Sequence, residues 1–310
     1  MTTPFALDCF DGVLAARMAP QEWSRISAFR NHPNFLAGLR RYHLVMPPFF
    51  SDNLKLNKVV TEAWRFEMLV YSLYLYDQMR PDDPRSGLTL ANLKAICKRQ
   101  NCASPGRVLA VLGIMWSAGF LKRSQVGGYG RAIQLAPSDG FIQIVEQWNA
   151  NILGIIDAVA PEGRLAPLHA AHPRFGWEMR REGAERLLSG WKLLDPYPEV
   201  NHFVASDGGW MLLLHCVGMA LLDGPQAGLA PVSVNLTEFG ARFGVSRSHL
   251  RRLLESAHAQ GLLTAAPKNG STLRLSENLV ASFLACMASE LAFYRGMARK
   301  AIDSLGLVAA

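Results

Sequence analysis

Ser104-Pro-Gly-Arg-Val-Leu-Ala-Val-Leu-Gly-Ile-Met-Trp-Ser-Ala-Gly119-Phe-Leu aligns without a gap on Ser246-Arg-Ser-His-Leu-Arg-Arg-Leu-Leu-Glu-Ser-Ala-His-Ala-Gln-Gly261-Leu-Leu. In each stretch a Ser stands fifteen residues before a Gly. Between them apolar residues recur at helical spacing: Val108, Val111, Leu112 and Met115 in the first, Leu250, Leu253, Leu254 and Ala257 in the second. Ser at a helix start accepts from the free backbone N–H groups, and Gly closes a helix end because it tolerates the left-handed conformation. Ser104 and Ser246 are thus read as N-caps, and Gly119 and Gly261 as C-cap residues. One capped helix is written twice.

The repetition reaches further in both directions. His32-Pro-Asn-Phe35 recurs as His172-Pro-Arg-Phe175, and Trp64, which opens an apolar helix, has a counterpart in Trp210. The offsets at His, Trp and Ser are 140, 146 and 142. So small a drift indicates duplication of a unit of about half the chain, with small loop insertions.

Each repeat spells the same order of elements. A long apolar helix (Trp64 to Tyr76; Trp210 to Leu222) ends in a Pro/Gly/Asp loop. A β-prone piece (Leu88-Thr-Leu90; Val232-Ser-Val234) precedes a short helix with apolar Leu93 and Ile96, or Leu236 and Phe239. A tight turn (Asn101-Cys-Ala103; Gly244-Val245) leads into the capped helix. A hairpin follows, with Gly127-Gly-Tyr-Gly130 or Lys268-Asn-Gly-Ser271 at its tip, and Asn-Gly is a strong hairpin signal. Ser138 and Ser276 then cap long amphipathic helices, Phe141 to Val159 and Leu279 to Leu305.

Helix, strand, helix, turn, helix, two-stranded wing, helix is the order of a winged helix-turn-helix domain. On these elements the chain resembles the winged-helix transcription regulators, and among them the MarR family, over 64–159 and 210–305. The resemblance implies a dimer interface built by the flanking helices, a second helix of the turn in the DNA major groove, and a wing tip at the adjacent minor groove. The chain differs from the usual single-copy form in fusing two copies and in adding about sixty residues before each. The fold expected is mainly α with small β wings: a helical extension (1–63), a first winged-helix domain (64–159), a linker and second helical extension (160–209) and a second winged-helix domain (210–310). This is a pseudo-dimer in one chain, acting as a monomer or pairing further as a homodimer.

Composition is compatible with this. The 310 residues are half hydrophobic and 18% charged, enough for two cores and too apolar for disorder. The five cysteines (Cys9, Cys97, Cys102, Cys216, Cys286) form no C-x-x-C pair and read as reduced core thiols. With no basic flank and apolar core after Met1, and no apolar run of the ~20 residues a membrane span needs, the expected location is cytoplasmic with no membrane partner. Charge is uneven. From 87 to 135 there are seven basic residues (Lys94, Lys98, Arg99, Arg107, Lys122, Arg123, Arg131) and no acid. From 231 to 275 there are six (Arg242, Arg247, Arg251, Arg252, Lys268, Arg274) against Glu238 and Glu255. Of the net +7, these windows hold +7 and +4, leaving −4 elsewhere. Basic charge confined to the repeats points to a polyanion, here double-stranded DNA.

A recognition helix presents polar side chains on its first turns, and Arg is favoured for its bidentate contact with guanine. The second copy offers Arg247, Ser248, His249, Arg251 and Arg252 behind Ser246; the aligned residues of the first are Pro105, Gly106, Arg107, Leu109 and Ala110. Arg107 alone among those five makes a polar base contact. The second copy is therefore the expected sequence reader. The first touches phosphates through Ser104, Arg107, Lys98, Arg99 and its wing, or buries its helix against protein. Lys122, Arg123 and Arg131 in the first wing, and Lys268 and Arg274 in the second, suit phosphate contacts, which position the protein without reading sequence.

Catalytic signals are poor, and no enzyme activity or cofactor is expected. Asp8-Cys-Phe-Asp11-Gly resembles the nucleophile motif of haloacid-dehalogenase-type phosphatases, but Cys9 stands where that motif needs an Asp. His169-Ala-Ala-His172 has a helical metal spacing, yet Pro follows and no Cys or acid cluster lies nearby in the sequence. His215 and Cys216 are packing residues of an apolar helix. Gly127-Gly-Tyr-Gly130 lacks the strand-to-helix setting of a phosphate loop. Trp64, Phe66, Tyr71, Tyr74 and Tyr76, with Trp210 and Met211, line either an interface core or a pocket for a small-molecule effector. The expected function is transcription regulation. The rivals are a tandem winged-helix module that binds protein, since fold does not fix function, and a plasmid or phage replication initiator.

Overall fold

The Ser and Gly punctuation places its helices where the spacing predicts. In the computed structural model, which describes residues 7–60, 62–83, 85–124, 133–221, 229–265 and 272–307, the two helices run Pro105–Ser117 and Arg247–Ala259. The Ser104 hydroxyl accepts from the Arg107 N–H at 3.4 Å, and Ser246 from the His249 N–H at 3.2 Å. At the far ends Gly119 (φ +76°) and Gly261 (φ +72°) are left-handed. Gly119 and Phe120 donate to the carbonyls of Trp116 and Met115 (3.0 and 2.9 Å); Gly261 and Leu262 donate to His258 and Ala257 (3.0 and 2.9 Å). This is the Schellman pattern at both helix ends, and the residue after each Gly, Phe120 or Leu262, is buried as that motif favours. The caps themselves are Ala118 and Gln260, so each Gly stands one residue beyond the expected position.

The described residues are mainly helical with two small antiparallel sheets. Helix, turn, helix, strand pair, helix occurs in both halves. The first has Leu90–Arg99, Pro105–Ser117, Leu121–Arg123 paired with Leu135–Pro137, then Asp139–Val159. The second has Leu236–Phe243, Arg247–Ala259, Leu263–Ala265 paired with Thr272–Leu275, then Glu277–Leu305. Ser138 and Ser276 accept from the Phe141 and Leu279 N–H groups (3.2 and 3.3 Å), as their positions predict.

The β-prone pieces differ between the halves. Val232–Ser233 is a third strand, pairing Val232 with Leu273 and Ser233 with Thr272. Leu88-Thr-Leu90 forms only a bridge, Thr89 with Gln134. The reason is local: Thr89 caps Leu90–Arg99 by accepting from the Asn92 N–H at 3.1 Å, so the chain turns helical where a strand would continue. In the second half the cap is Asn235, two residues past the strand.

Chain contacts divide the molecule into two compact units, each discontinuous in sequence. One comprises Met1–Asn57, Ile155–Glu162 and Lys192–Phe293. Its core sets Phe35–Asp52 and Gly209–Leu221 together: Tyr42 meets Trp210 edge-on at 6.5 Å, and Trp210 packs on Phe283 at 5.6 Å. The Tyr42 hydroxyl bonds the buried Glu290 carboxyl at 3.3 Å, and burial pushes that carboxyl up to about 7. Burial also acts on Glu199, but Arg17 at 2.8 Å, with Ser282 and Asn278, outweighs it and holds that carboxyl down at about 2.

The other unit comprises Lys58–Gly154, Gly163–Trp191 and Tyr294–Ala310. Here Ala63–Asp77 packs against Phe175–Leu188. Arg180 is held between Asp77 (3.6 Å) and Glu146, and His169 Nε2 lies 2.7 Å from the same Glu146. Burial raises the Asp77 carboxyl to about 6 against the pull of Arg180. For Glu146 the same burial is overcome by the His169 bond and the Arg180 charge, which hold it below the usual range.

The His-Pro-x-Phe repeat is one turn used twice. The Phe35 and Phe175 N–H groups donate to His32 and His172 carbonyls, both at 2.9 Å, and each fully buried Phe opens a helix. His169 closes against Glu146, an acid brought beside it by the fold and not by the sequence. His215 stacks on His43 at 6.3 Å and Cys216 is buried, in keeping with packing roles. None of the five cysteines is in a disulfide, but the core assignment fails at Cys9, which is exposed, and Cys102, which is half-buried. No described helix is long and apolar enough to cross a membrane.

Candidate nucleic-acid interface

The surface around Arg247–Ala259 begins with its turn. Asn235 accepts from the Thr237 and Glu238 N–H groups (both 3.2 Å), and Leu236–Phe243 ends at left-handed Gly244 (φ +73°). The Val245 N–H then donates to the Gly240 carbonyl at 2.9 Å. A Cβ at Gly240 would overlap the Val245 carbonyl oxygen, so this turn closes only around glycine.

The helix Arg247–Ala259 buries Leu250, Leu253, Leu254 and Ala257. That spacing leaves Arg247, Ser248, Arg251 and Arg252 exposed on the opposite side, with Ser246 exposed at the cap. His249 is half-buried, which corrects the expectation of a fully exposed contact residue: it follows Ser248 onto the flank of the buried stripe. Arg251 pairs with Glu255 at 3.3 Å, one turn on, both side chains more than half exposed. Beneath the helix His202, from Pro198–Val204, has its imidazole pushed down by burial, partly opposed by its bond to the Leu253 backbone. In the hairpin, the exposed Arg274 donates to the Leu229 carbonyl at 3.1 Å. Lys268 and its Asn-Gly tip lie outside the described residues.

The corresponding stretch of the first half has the same element order and a different surface. Its turn is one residue longer, left-handed at Asn101 (φ +51°), and the Cys102 N–H donates to the Cys97 carbonyl at 3.1 Å. Lys98, Arg99, Arg107 and Arg123 are exposed. The Arg107 guanidinium lies over the Trp64 ring, 5.2 Å from its centre, a cation–π contact that fixes its direction. Lys122 pairs with Asp139 at 2.9 Å, and Arg131 lies outside the described residues with the Gly-rich tip. Where the second helix carries Arg251 and Arg252, the first exposes Leu109 and Ala110, and one face further along it exposes Trp116. Leu109 and Trp116 are 50% and 49% exposed, high for side chains of their size.

Sequence reasoning missed Trp64 as the seat of Arg107, whereas Trp116, outside the buried stripe, was legible in helical spacing as an outward residue. Glu255 was readable as an i,i+4 partner of Arg251. Of the residues proposed as an effector-pocket lining, Tyr71 is buried, Phe66 packs on Trp148 at 5.8 Å and Trp210 joins the core already described. Among the described residues no three His, Cys, Asp or Glu side chains gather as metal ligands do. No protein-family model, curated protein or solved structure matches the chain.

Proposed function

We propose that the chain is a DNA-binding transcription regulator of winged-helix type, carrying the module twice as a pseudo-dimer, with the second copy as sequence reader. One observation carries this: Arg247–Ala259 buries a complete apolar stripe while Arg247, Ser248, Arg251 and Arg252 face outward at its start, directly after a tight turn. A helix so presented fits the major groove, where guanidinium groups pair bidentately with guanine. Arg274 on the hairpin supplies charge for phosphates.

Binding of the full chain to fluorescent duplexes, followed by anisotropy across a salt series, tests the proposal. Log K against log salt is expected to fall with a slope of about −0.9 per phosphate neutralised. A flat response, or no complex at low salt, refutes it. For the first copy alone a second reading has support, since exposed Leu109 and Trp116 suit a protein surface better than a groove.

A further inference from the structure

The helix Pro105–Ser117 has two long sides of unlike fate. Val108, Val111, Leu112 and Met115 are buried, whereas Gly106, Leu109, Ala110, Gly113 and Trp116 are exposed and uncharged. The aligned outward positions of the second copy are Ser248, Arg251, Arg252, Glu255 and His258. Every charge or polar group on that face has been replaced by an apolar or small residue. Leu109 and Trp116 lie two turns apart on one side, and beyond the helix's own local backbone nothing stands within 4 Å of where a Cβ would sit on Gly106 or Gly113. The surface is apolar, open at its centre, and closely approachable.

Its surroundings carry the sign of the occupant. Between 87 and 135 the chain has seven cations and no acid. Lys98 and Arg99 end the preceding helix just before the turn into Pro105, Arg107 stands in the first turn, and Arg123 lies in the strand that follows. Lys122 is neutralised by Asp139, but these four are exposed. We infer that this face docks an amphipathic, acidic helical segment of a partner protein, its apolar stripe on Leu109 and Trp116 and its carboxylates on Lys98, Arg99 and Arg123. A second copy of this chain fits badly, because an isologous pairing would set two such cationic windows against each other. DNA fits badly too, since the face offers base edges no polar donor and Arg107 is turned onto Trp64. The inference does not depend on DNA reading by the second copy.

The test uses the full chain and a labelled designed peptide of about 20 residues, long enough to be helical, with Leu at i, i+3, i+4, i+7 flanked by Glu. A matched peptide with Lys in place of Glu is the control. The Glu peptide is expected to bind saturably and the Lys peptide not to bind. Trp116→Ser, and separately Lys98→Glu with Arg99→Glu, should each weaken the Glu peptide about tenfold or more, as removal of an interface anchor does. Arg252→Ala should leave the peptide affinity unchanged. Leu109→Ser serves as a second apolar variant with the same expected loss, and circular dichroism checks that each variant at these half-exposed sites keeps its fold. Equal binding of both peptides, no binding of either, or indifference to Trp116→Ser overturns the inference. So does a dimer in sedimentation that Trp116→Ser dissolves, which would make a second copy the occupant, or a loss of duplex binding on Trp116→Ser, which would make it DNA.

Discussion

Replacing Arg252 with Ala separates base reading from mere charge. Arg252 is exposed, and no described carboxylate pairs with it, so its guanidinium enters a complex without giving up an intramolecular partner. A bidentate guanine contact is worth about 1–3 kcal/mol, and Arg252→Ala should weaken a specific duplex by about 5- to 150-fold. Arg251 differs because it must release Glu255, 3.3 Å away. That pair is exposed and worth about 0–1 kcal/mol, so Arg251→Ala should cost less than Arg252→Ala by that margin. Glu255→Gln should then tighten binding by up to about fivefold, since it frees Arg251 and removes a negative charge from the approaching face. The assay is anisotropy on a selected specific duplex and on a scrambled one at fixed salt. Equal loss of affinity on both duplexes in Arg252→Ala would make it a phosphate contact, and an unchanged specific affinity would end the argument for a reading helix.

Two further outcomes concern the scaffold. Gly240→Ala should destabilise the protein by about 1–3 kcal/mol, because the new methyl overlaps the Val245 carbonyl. In an ordinary helix interior the same change stabilises by about 0.5–1 kcal/mol. Gly244→Ala meets open space, and its left-handed φ of +73° should cost about 1 kcal/mol. Urea unfolding of the two variants checks the order, and a milder effect at Gly240 than at Gly244 would disprove the tight-turn account. Glu290, raised from 4.5 to about 7, holds a proton in the folded protein that the unfolded chain has lost between those values. Stability should therefore fall as pH rises from about 4.5 to about 7 and level off above, by up to about 3 kcal/mol from this group. Thermal melts of Glu290→Gln across that range should lose this part of the slope; an unchanged slope would show that another group causes it.

Much of the candidate surface was legible because it is local. A Ser cap, an apolar stripe and a terminal Gly act on neighbours within about one turn, so spacing alone assigns Leu250 inward and Arg251 outward. The same logic reaches Arg251 with Glu255, and it separates Leu109 from Val108. It stops at Arg107, whose direction depends on a Trp more than forty residues earlier. It also misjudged Leu88-Thr-Leu90, where β propensity lost to the stronger local demand of a helix needing Thr89 as its cap.

What the sequence determined by itself is the repeated order of helices, turns and strand pairs, the register of each buried stripe, and the unequal chemistry of the two outward faces. These follow from periodicity and capping, which are written in adjacent residues. The tertiary structure decided which distant groups meet: Arg180 with Asp77 and Glu146, His169 with that same Glu146, Tyr42 with Glu290, Arg17 with Glu199. It also decided that each compact unit draws on separated stretches of chain. Such pairings depend on how whole helices pack, and buried charges find partners through that packing because an unpaired one is too costly to bury.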